Sequence, residues 1–331
     1  MGHGERHNSP VLVVFGRLEI FLMRKLLKIV LWVAAILLVL VAGIAVISTR
    51  YIADDMLHDP YSDREPITQT PADFGVPFEA VTATSSSGIE LAGWYVPSQN
   101  GAAVILQHGY AENRQHMLEE AKMLHDHGYG ALLSTVRGHD LNGEGMITFG
   151  CYEMEDLDAW YQFLLERDEV DPERIGILGQ SMGGSLAIQY AFQNQQIKSV
   201  VAHSPLTSLE DTIDIGLRHF SPIPDPLVSL LSPLIIFWGE QITGCDLEDV
   251  NAEEWIGAIS PRPVYLICGG KDELVIERNC RSLYAQAREP VTFWFEETCD
   301  HHECDTTFPE EFESRIIGFF DQYLGQNPPA E

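Results

Sequence analysis

The feature that most restricts the fold is an alternation of short apolar runs with helical patterns through the last two thirds of the chain. The runs lie at 103–107, 131–135, 175–178, 199–204, 263–268 and 291–295, and the helical patterns lie near 113–127, at about 153–167, from Ser181 and from about 310. Continuous apolar runs are typical of strands buried on both faces. The alternation predicts an α/β fold whose mostly parallel sheet has helices on both faces. Right-handed crossovers place the strand ends that bind ligands along one edge.

Two further β-rich runs, at 78–84 and 89–96, are joined by a Ser-Ser-Gly turn and predict an antiparallel hairpin at a sheet edge. The segment 205–262 is longer than a crossover needs. Its apolar sequence PLVSLLSPLIIFWGEQITG predicts either a short helical lid beside the ligand edge or a structural helix that covers the sheet.

A separate constraint comes from the stretch between Ile29 and Ile47, which contains no charged residue. At about 1.5 Å per residue, a helix of this length crosses most of a bilayer's hydrocarbon core. Basic residues precede the stretch and aspartates soon follow it, so the positive-inside rule predicts a single-pass signal-anchor with a cytoplasmic N-terminus and an extracytoplasmic domain. The alternative is a cleaved signal peptide. Against it, the stretch is longer than the usual signal-peptide core, and no small-x-small cleavage site closes it.

These patterns divide the chain into segments. The division is a cytoplasmic segment at 1–28, a transmembrane helix at 29–48, a polar linker at 49–75, an α/β domain at 76–325 and a tail at 326–331.

Charge and cysteine content limit the partners and the compartment that this chain can be expected to have. The 331 residues include 20 Lys plus Arg and 49 Asp plus Glu, a formal net charge of −29. A surface of this sign repels phosphate backbones, so nucleic acid is not an expected partner. All six cysteines follow the apolar stretch, on the side where disulfides persist, and their pairing stays open. Cys268 is expected in a buried strand, where a free thiol would pack like a small hydrophobe.

The pentapeptide GQSMG around Ser181 follows the run 175–178 and opens a predicted helix. This context is typical of a nucleophile elbow, in which glycines permit a tight turn and the serine hydroxyl projects from the strand end. The N–H of Met182, at the helix start, is then a candidate oxyanion donor. The alternative is a Gly-rich turn that only packs a strand against a helix.

Other predicted strand ends offer partners for Ser181. The turn His108-Gly109-Tyr110 follows the run 103–107, and the N–H of Tyr110 is the second candidate oxyanion donor. Asp272 follows the run 263–268 and is the candidate acid, with Glu273 as the weaker option.

The run CDHHEC at 299–304 follows the last predicted strand and offers two histidines. A serine needs a histidine base, the histidine needs a carboxylate, and the expected chain order is Ser, Asp, His. The base is therefore His301 or His302. The run also contains metal-ligand residue types. Adjacent residues rarely converge on one ion, however, and no CxxC or HExxH spacing occurs, so neither a metal nor another cofactor is predicted.

Taken together, the motifs resemble the α/β-hydrolase superfamily over roughly 75–325, and within it the compact Bem46-like serine hydrolases with an N-terminal membrane anchor. The stretches that carry the resemblance are LQHGYAENRQHM, STVRGHDLNGEG, DPERIGILGQSMGG, SPRPVYLICGGKDELV and DHHECDTTFPEEF. The resemblance implies Ser181 as nucleophile, Asp272 as acid and His301 as base, with His302 as the second choice. The chain departs from the family where RGHD replaces the usual RGHG and where TCDH replaces the usual Gly-x-Gly-His.

The predicted function is that of a membrane-tethered serine hydrolase that cleaves ester, thioester or amide bonds through an acyl-enzyme intermediate. Its expected partners are the membrane and a small-molecule ester or amide, with lipid and peptide both open as substrates. The alternatives are a serine peptidase on the same fold and a catalytically silent binding module. Near the ligand edge, His139 and His203 are expected to be structural histidines with satisfied hydrogen bonds, and Arg114 and Arg137 are expected in salt bridges.

Overall fold

A computed structural model describes residues 10–58, 66–141 and 145–325, with side chains from residue 21 onward. Parts of the predicted cytoplasmic segment (1–9) and linker (59–65), and the predicted tail (326–331), lie outside these ranges. The chain divides into two compact units, Met1–Thr49 and Arg50–Glu331.

The first unit consists of most of helix α1 (Pro10–Leu57). Its large apolar side chains between Phe21 and Ile47 are exposed. Within the described ranges, two helices are long and apolar enough to span a membrane by length and composition alone, Phe21–Leu57 and Asp225–Thr243. The most apolar window of the first has a mean hydropathy of 3.1 and is entirely exposed. The predicted span at 29–48 lies within it, and a signal sequence would satisfy the same criteria.

The second unit is organised around one eight-stranded sheet. The strands are β1 (Glu79–Thr84), β2 (Glu90–Val96), β3 (Ala103–Gln107), β4 (Gly130–Ser134), β5 (Ile175–Gln180), β6 (Val200–His203), β7 (Val264–Gly269) and β8 (Val291–Glu296). Their order across the sheet is β1-β2-β4-β3-β5-β6-β7-β8. The β1–β2 and β2–β4 pairs are antiparallel, and the other pairs are parallel. The predicted α/β architecture with an edge hairpin is confirmed.

Helices cover both faces of this sheet. After α1 they are α2 (Leu118–Asp126), α3 (Glu153–Leu165), α4 (Met182–Gln193), α5 (Leu209–Phe220), α6 (Asp225–Thr243), α7 (Ala252–Ile256), α8 (Glu277–Gln286), α9 (Cys304–Thr307) and α10 (Pro309–Leu324). Successive strand side chains point to opposite faces. Val104 and Leu106 on β3 therefore join a core with residues of α2 and α10, whereas Ile105 joins a core with residues of α3 and α4.

The structure corrects the predicted linker at 49–75. Helix α1 continues to Leu57, and Ala53 and Leu57 are almost completely buried. Residues four apart share one helix face, so this short apolar pair packs against the domain although polar residues surround it. A short 3-10 helix over Pro71–Phe74 follows later in the same segment.

The long segment 205–262 forms helices α5, α6 and α7. Ile235 and Ile236 on α6 and Ile256 on α7 are buried in the core on the α4 side of the sheet. The segment is therefore packed as a structural cover. A lid role for it stays a prediction.

All six cysteines are paired. The disulfides join Cys151 to Cys245, Cys268 to Cys280 and Cys299 to Cys304. Cys268 lies in buried strand β7, as expected, and is paired rather than free. Its partner Cys280 lies on α8, a helix that the polar sequence pattern of 277–286 did not predict.

Candidate active site

Ser181 sits in a sharp turn between β5 and α4, with a backbone φ of 53°. A non-glycine residue with this φ is strained, and the turn is held by a 2.9 Å hydrogen bond from the Ser181 N–H to the His203 carbonyl. The flanking glycines are required. A Cβ on Gly179 would lie 2.0 Å from the Gly183 carbonyl oxygen, and one on Gly183 would lie 2.3 Å from the Gln107 carbonyl oxygen.

The structure brings the predicted serine, histidine and aspartate together. Nε2 of His301 lies 2.8 Å from Oγ of Ser181, and Nδ1 of His301 lies 2.8 Å from Oδ2 of Asp272. The other carboxylate oxygen of Asp272 accepts hydrogen bonds from the N–H groups of Leu274 (2.9 Å) and Val275 (2.7 Å). Both oxygens are thus engaged, and the orientation of the imidazole is determined by a buried acceptor.

The second-choice residues occupy other environments. Nε2 of His302 faces Oε1 of Glu112 at 3.3 Å, so His302 pairs with a different carboxylate from His301. Glu273 pairs with His219 at 3.0 Å, and its side chain is 71% exposed. His301 and Asp272 are the pair that meets Ser181.

The two predicted oxyanion donors belong to segments that adjoin Ser181, one along the chain and one in space. Met182 is the first residue of α4 and follows Ser181 directly. In space, a Cβ on Gly109 would lie 3.3 Å from the Ser181 Cβ, so the turn before Tyr110 closely approaches the serine. The Tyr110 ring stacks on Phe149, with ring centres 5.3 Å apart. This placement agrees with the predicted pair of N–H donors, whose catalytic role stays a prediction.

Glu112 is a site residue that the sequence analysis missed. Its Oε2 accepts a 2.7 Å hydrogen bond from the Gly109 N–H, and its Oε1 faces His302. Burial opposes ionisation of Glu112, but the hydrogen bond and charge of His302 lower its pKa to about 2. Burial opposes protonation of His302, but Glu112 raises its pKa above the ordinary value. The pair therefore links the turn beside Ser181 to the loop that carries His301.

The remaining predicted residues divide into two groups. Arg114 pairs with Asp140 at 3.1 Å, and Arg137 binds Asp156 through two hydrogen bonds of 2.9 and 2.7 Å, so both arginines are in the expected salt bridges. His139 is buried and its Nδ1 lies 2.9 Å from a backbone carbonyl, in keeping with a structural role.

The prediction of a satisfied histidine is wrong for His203. Both of its ring nitrogens are buried, and neither has a hydrogen-bond partner among the described residues. Burial, together with the neighbouring His302 and His301, lowers the pKa of His203 well below its ordinary value. A neutral ring packed against Phe312, with ring centres 5.4 Å apart, is the physical account of this site.

The cysteines at 299 and 304 are joined in a disulfide, which removes both thiolates from metal ligation. Among the described residues, no group of three or more His, Cys, Asp or Glu side chains is arranged to hold a metal ion.

A family model described as serine aminopeptidase, S33, matches residues 98–240. The esterase Pf2001 of Pyrococcus furiosus has the same fold, with a TM-score of 0.68 and 27% identity over 80% of this chain and 97% of that chain. This chain has the α/β-hydrolase fold. The α/β hydrolase GrgF of Penicillium sp. sh18 agrees in fold, with a TM-score of 0.60 and 19% identity over 75% of this chain and 99% of that chain.

The chain also has relatives of comparable length. It is 29% identical to the uncharacterized protein Rv2307c of Mycobacterium tuberculosis, over 72% of this chain and 75% of the relative. It is 24% identical to the uncharacterized protein YqkD of Bacillus subtilis, over 80% of this chain and 83% of the relative. The predicted resemblance to the α/β hydrolases is confirmed. These relatives carry no assigned activity, so the reaction must be argued from the site.

Proposed function

We propose that this α/β hydrolase is a membrane-tethered serine hydrolase that cleaves esters through an acyl-enzyme intermediate. The observation that carries the proposal is the hydrogen-bonded series from Asp272 through His301 to Ser181, located at the strand ends where ligands bind in α/β folds. A serine hydroxyl becomes an effective nucleophile only when a positioned base accepts its proton, and His301 has the required contact.

The reaction proceeds in two halves. His301 accepts the proton of Ser181 as Oγ attacks the substrate carbonyl carbon, and the negative charge moves to the carbonyl oxygen. The N–H groups of Met182 and Tyr110 stabilise this oxyanion. Protonated His301 then donates its proton to the leaving alcohol as the ester bond breaks. In the second half, His301 takes a proton from water as the water attacks the acyl carbon. Protonated His301 then returns this proton to Oγ of Ser181 as the bond from Oγ to the acyl carbon breaks and the acid is released.

Two observations bear on the bond that is cleaved. The similarity to an esterase at 27% identity favours esters, whereas the family model carries the description of an aminopeptidase. A serine peptidase is therefore the second candidate function. A panel of chromogenic esters and aminoacyl anilides distinguishes the two, because the peptidase predicts turnover of the anilides at rates comparable with the esters.

The membrane tether rests on separate observations. The apolar side chains of α1 between Phe21 and Ile47 are exposed and would be covered by lipid. Three disulfides in the second unit favour an oxidising compartment, which supports the predicted placement of the domain outside the cytoplasm.

A fluorophosphonate probe tests the nucleophile on the full-length chain. The parent is expected to be labelled and Ser181→Ala is not, because the probe reacts only with an activated serine. His301→Ala is expected to lower the rate of substrate turnover by about 10⁶, as for other serine hydrolases that lose their base. His302→Ala is expected to retain most of the labelling by the probe. Equal labelling of Ser181→Ala and the parent would refute the assignment. A parent that no probe labels would favour a silent binding module.

A further inference from the structure

Helix α6 carries an exposed apolar surface that the proposed chemistry does not use. Leu227, Leu230, Pro233 and Phe237 recur at spacings of three or four residues and are all exposed; we call this set the α6 stripe. Leu230 is 65% exposed, and Leu227 and Phe237 are each nearly half exposed. Residues at this spacing lie on one face of a helix. No charged residue occurs between Asp225 and Glu240.

The opposite face of α6 is also apolar. Val228, Ile235 and Ile236 are buried against the domain. A helix on the surface of a water-soluble domain usually turns a polar face to solvent, so an apolar outer face marks an interaction surface. The exposed ring of Phe220, at the end of α5, adds to the apolar character of this region.

A contact at one end of the α6 stripe indicates what covers it. The guanidinium carbon of Arg50 lies 5.8 Å from the centre of the Trp238 ring, and that ring lies 5.1 Å from the ring of Phe237. Arg50 follows Ile47, the last exposed large aliphatic residue of the proposed membrane anchor, by three positions. Chain connectivity therefore keeps the α6 stripe close to the point where the chain would leave the lipid.

The same helical segment reaches the candidate active site. The Tyr110 hydroxyl donates a 2.9 Å hydrogen bond to the Met56 carbonyl, and the Ile147 N–H donates a 2.8 Å hydrogen bond to the Leu57 carbonyl. From Arg50 to Met56 the helix rises about 9 Å. Within the second unit, the residues after the anchor thus contact both the α6 stripe region and the turn proposed to bind the oxyanion.

We propose that the α6 stripe rests in the interface of a phospholipid bilayer and that the substrate is a long-chain ester taken from that bilayer. This inference rests on the proposed function for the reaction, but the α6 stripe itself can be tested without it. Amphipathic surfaces bind bilayers through buried apolar area and through charge. Because the chain has a net charge of −29, the bilayer surface expected here is electrically neutral, as in phosphatidylcholine, rather than anionic.

Lipid contact is tested by fluorescence quenching. The full-length chain is reconstituted in vesicles of phosphatidylcholine brominated on its acyl chain, with Leu230→Trp as the probe and Tyr284→Trp as the matched control on α8. Tyr284 is 42% exposed and lies off the α6 stripe. The added fluorescence of Leu230→Trp is expected to be quenched and that of Tyr284→Trp is not. Equal quenching of the two would overturn the proposal, as would a Leu230→Trp signal that changes only on formation of a cross-linkable dimer.

The substrate class is tested by a ratio of rates. The triple variant Leu227→Gln, Leu230→Gln, Phe237→Gln is compared with the parent on a long-chain ester in phosphatidylcholine vesicles and on a short water-soluble ester. The ratio of the first rate to the second is expected to fall about tenfold in the triple variant, because the apolar contact with lipid is lost. Tyr284→Gln is expected to keep the parent ratio.

The outcomes separate the two proposals. An unchanged ratio in the triple variant would overturn delivery of substrate from the bilayer. A parent that hydrolyses neither ester and takes no fluorophosphonate label would overturn the proposed function, while the quenching experiment would still report on the α6 stripe.

Discussion

At the scale of single residues, the pair Glu112–His302 has a pH dependence that can be worked out in sign. The pKa of Glu112 is lowered to about 2, so its contribution to stability is present above its unfolded pKa of about 4.5 and is lost as the pH falls toward 2. The pKa of His302 is raised, so its contribution is present below about 6.5 and is lost as the pH rises through the raised value. The pair therefore contributes most to stability between about pH 4.5 and about pH 6.5.

Glu112→Gln is therefore expected to lower the free energy of unfolding by about 2 kcal/mol near pH 5.5 and by less at pH 8.5. The amide oxygen can still accept from the Gly109 N–H, so the change isolates the charge. Urea unfolding at the two pH values provides the measurement. Glu273→Gln is the control, because Glu273 pairs with a histidine at the surface, where such pairs contribute little. A loss of stability that is the same at both pH values would contradict the expectation.

Glu120 and Asp305 form an acidic pair whose effect on stability has the opposite sign to that of Glu112 and His302. Oε1 of Glu120 accepts a 2.5 Å hydrogen bond from Gln180, and both carboxyl groups line a cavity of about 340 Å³. Burial and the nearby Asp305 raise the pKa of Glu120 well above its ordinary value, and burial raises that of Asp305. The folded state thus binds protons more tightly than the unfolded state, so the pair destabilises the fold as the pH rises above about 4.5.

Replacing Glu120 with Gln removes this cost and keeps an acceptor for Gln180. We expect the melting temperature of Glu120→Gln to exceed that of the parent at pH 8 and the difference to vanish near pH 4. Differential scanning calorimetry at both pH values measures it. Glu119→Gln, at the exposed neighbouring position, is the matched control. A melting temperature below that of the parent at pH 8 would show that the carboxylate is stabilising.

At the scale of elements, the three disulfides constrain very different lengths of chain. Their cysteines are 5, 12 and 94 positions apart for Cys299–Cys304, Cys268–Cys280 and Cys151–Cys245. The chain-entropy relation gives contributions of about 2, 3 and 5 kcal/mol respectively. The longest loop joins the segment before α3 to the residue just after α6, whereas the shortest carries His301.

Removal of the longest-loop disulfide and removal of the shortest-loop disulfide should therefore rank in opposite order for loss of stability and for loss of activity. Replacing Cys151 and Cys245 with Ser is expected to destabilise the fold more than the same change at Cys299 and Cys304. The second variant is expected to slow fluorophosphonate labelling more, because the loop that holds His301 is loosened. Denaturant unfolding and labelling rates on both variants measure this. The expectation would be contradicted if the same variant lost more stability and also more of its labelling rate.

The elements also differ in how well the sequence predicts them. Strand β5 was predicted from its apolar run at 175–178 and extends two residues further, because Gln180 still pairs with His203 on β6. Helix α8 was missed, since Leu283 and Cys280 are its only buried apolar side chains and ten residues of mixed polarity give no stripe.

The site itself was predictable only in part. Ser181, Asp272 and His301 follow local strand-end motifs that can be read in order, so their proximity could be anticipated. The contact between Glu112 and His302 joins positions 190 residues apart, and no local pattern encodes it. The helical continuation to Leu57 was hidden because Asp54 and Asp55 interrupt its apolar positions.

At the scale of the whole molecule, the net charge of −29 should affect which substrates reach the site. An acidic surface lowers the local concentration of anions, and added salt screens this field over about 10 Å at 0.1 M. We expect hydrolysis of an anionic short-chain ester to accelerate as sodium chloride is raised, while hydrolysis of a neutral ester of the same chain length stays constant. Initial rates on the matched esters provide the measurement. Slower turnover of the anionic ester at high salt would indicate a basic patch at the site.

The ring closed by Cys299 and Cys304 has a practical consequence for anyone preparing this protein. Both sulfurs are inaccessible to solvent in the folded chain, so mild thiol reagents in a storage buffer should leave them intact. A batch recovered from inclusion bodies under reducing conditions has no such protection while it folds. Such material can acquire the sheet and its helices yet lack the disulfide that holds the His301 loop, and it would then pass a check of secondary structure while turning over substrate more slowly.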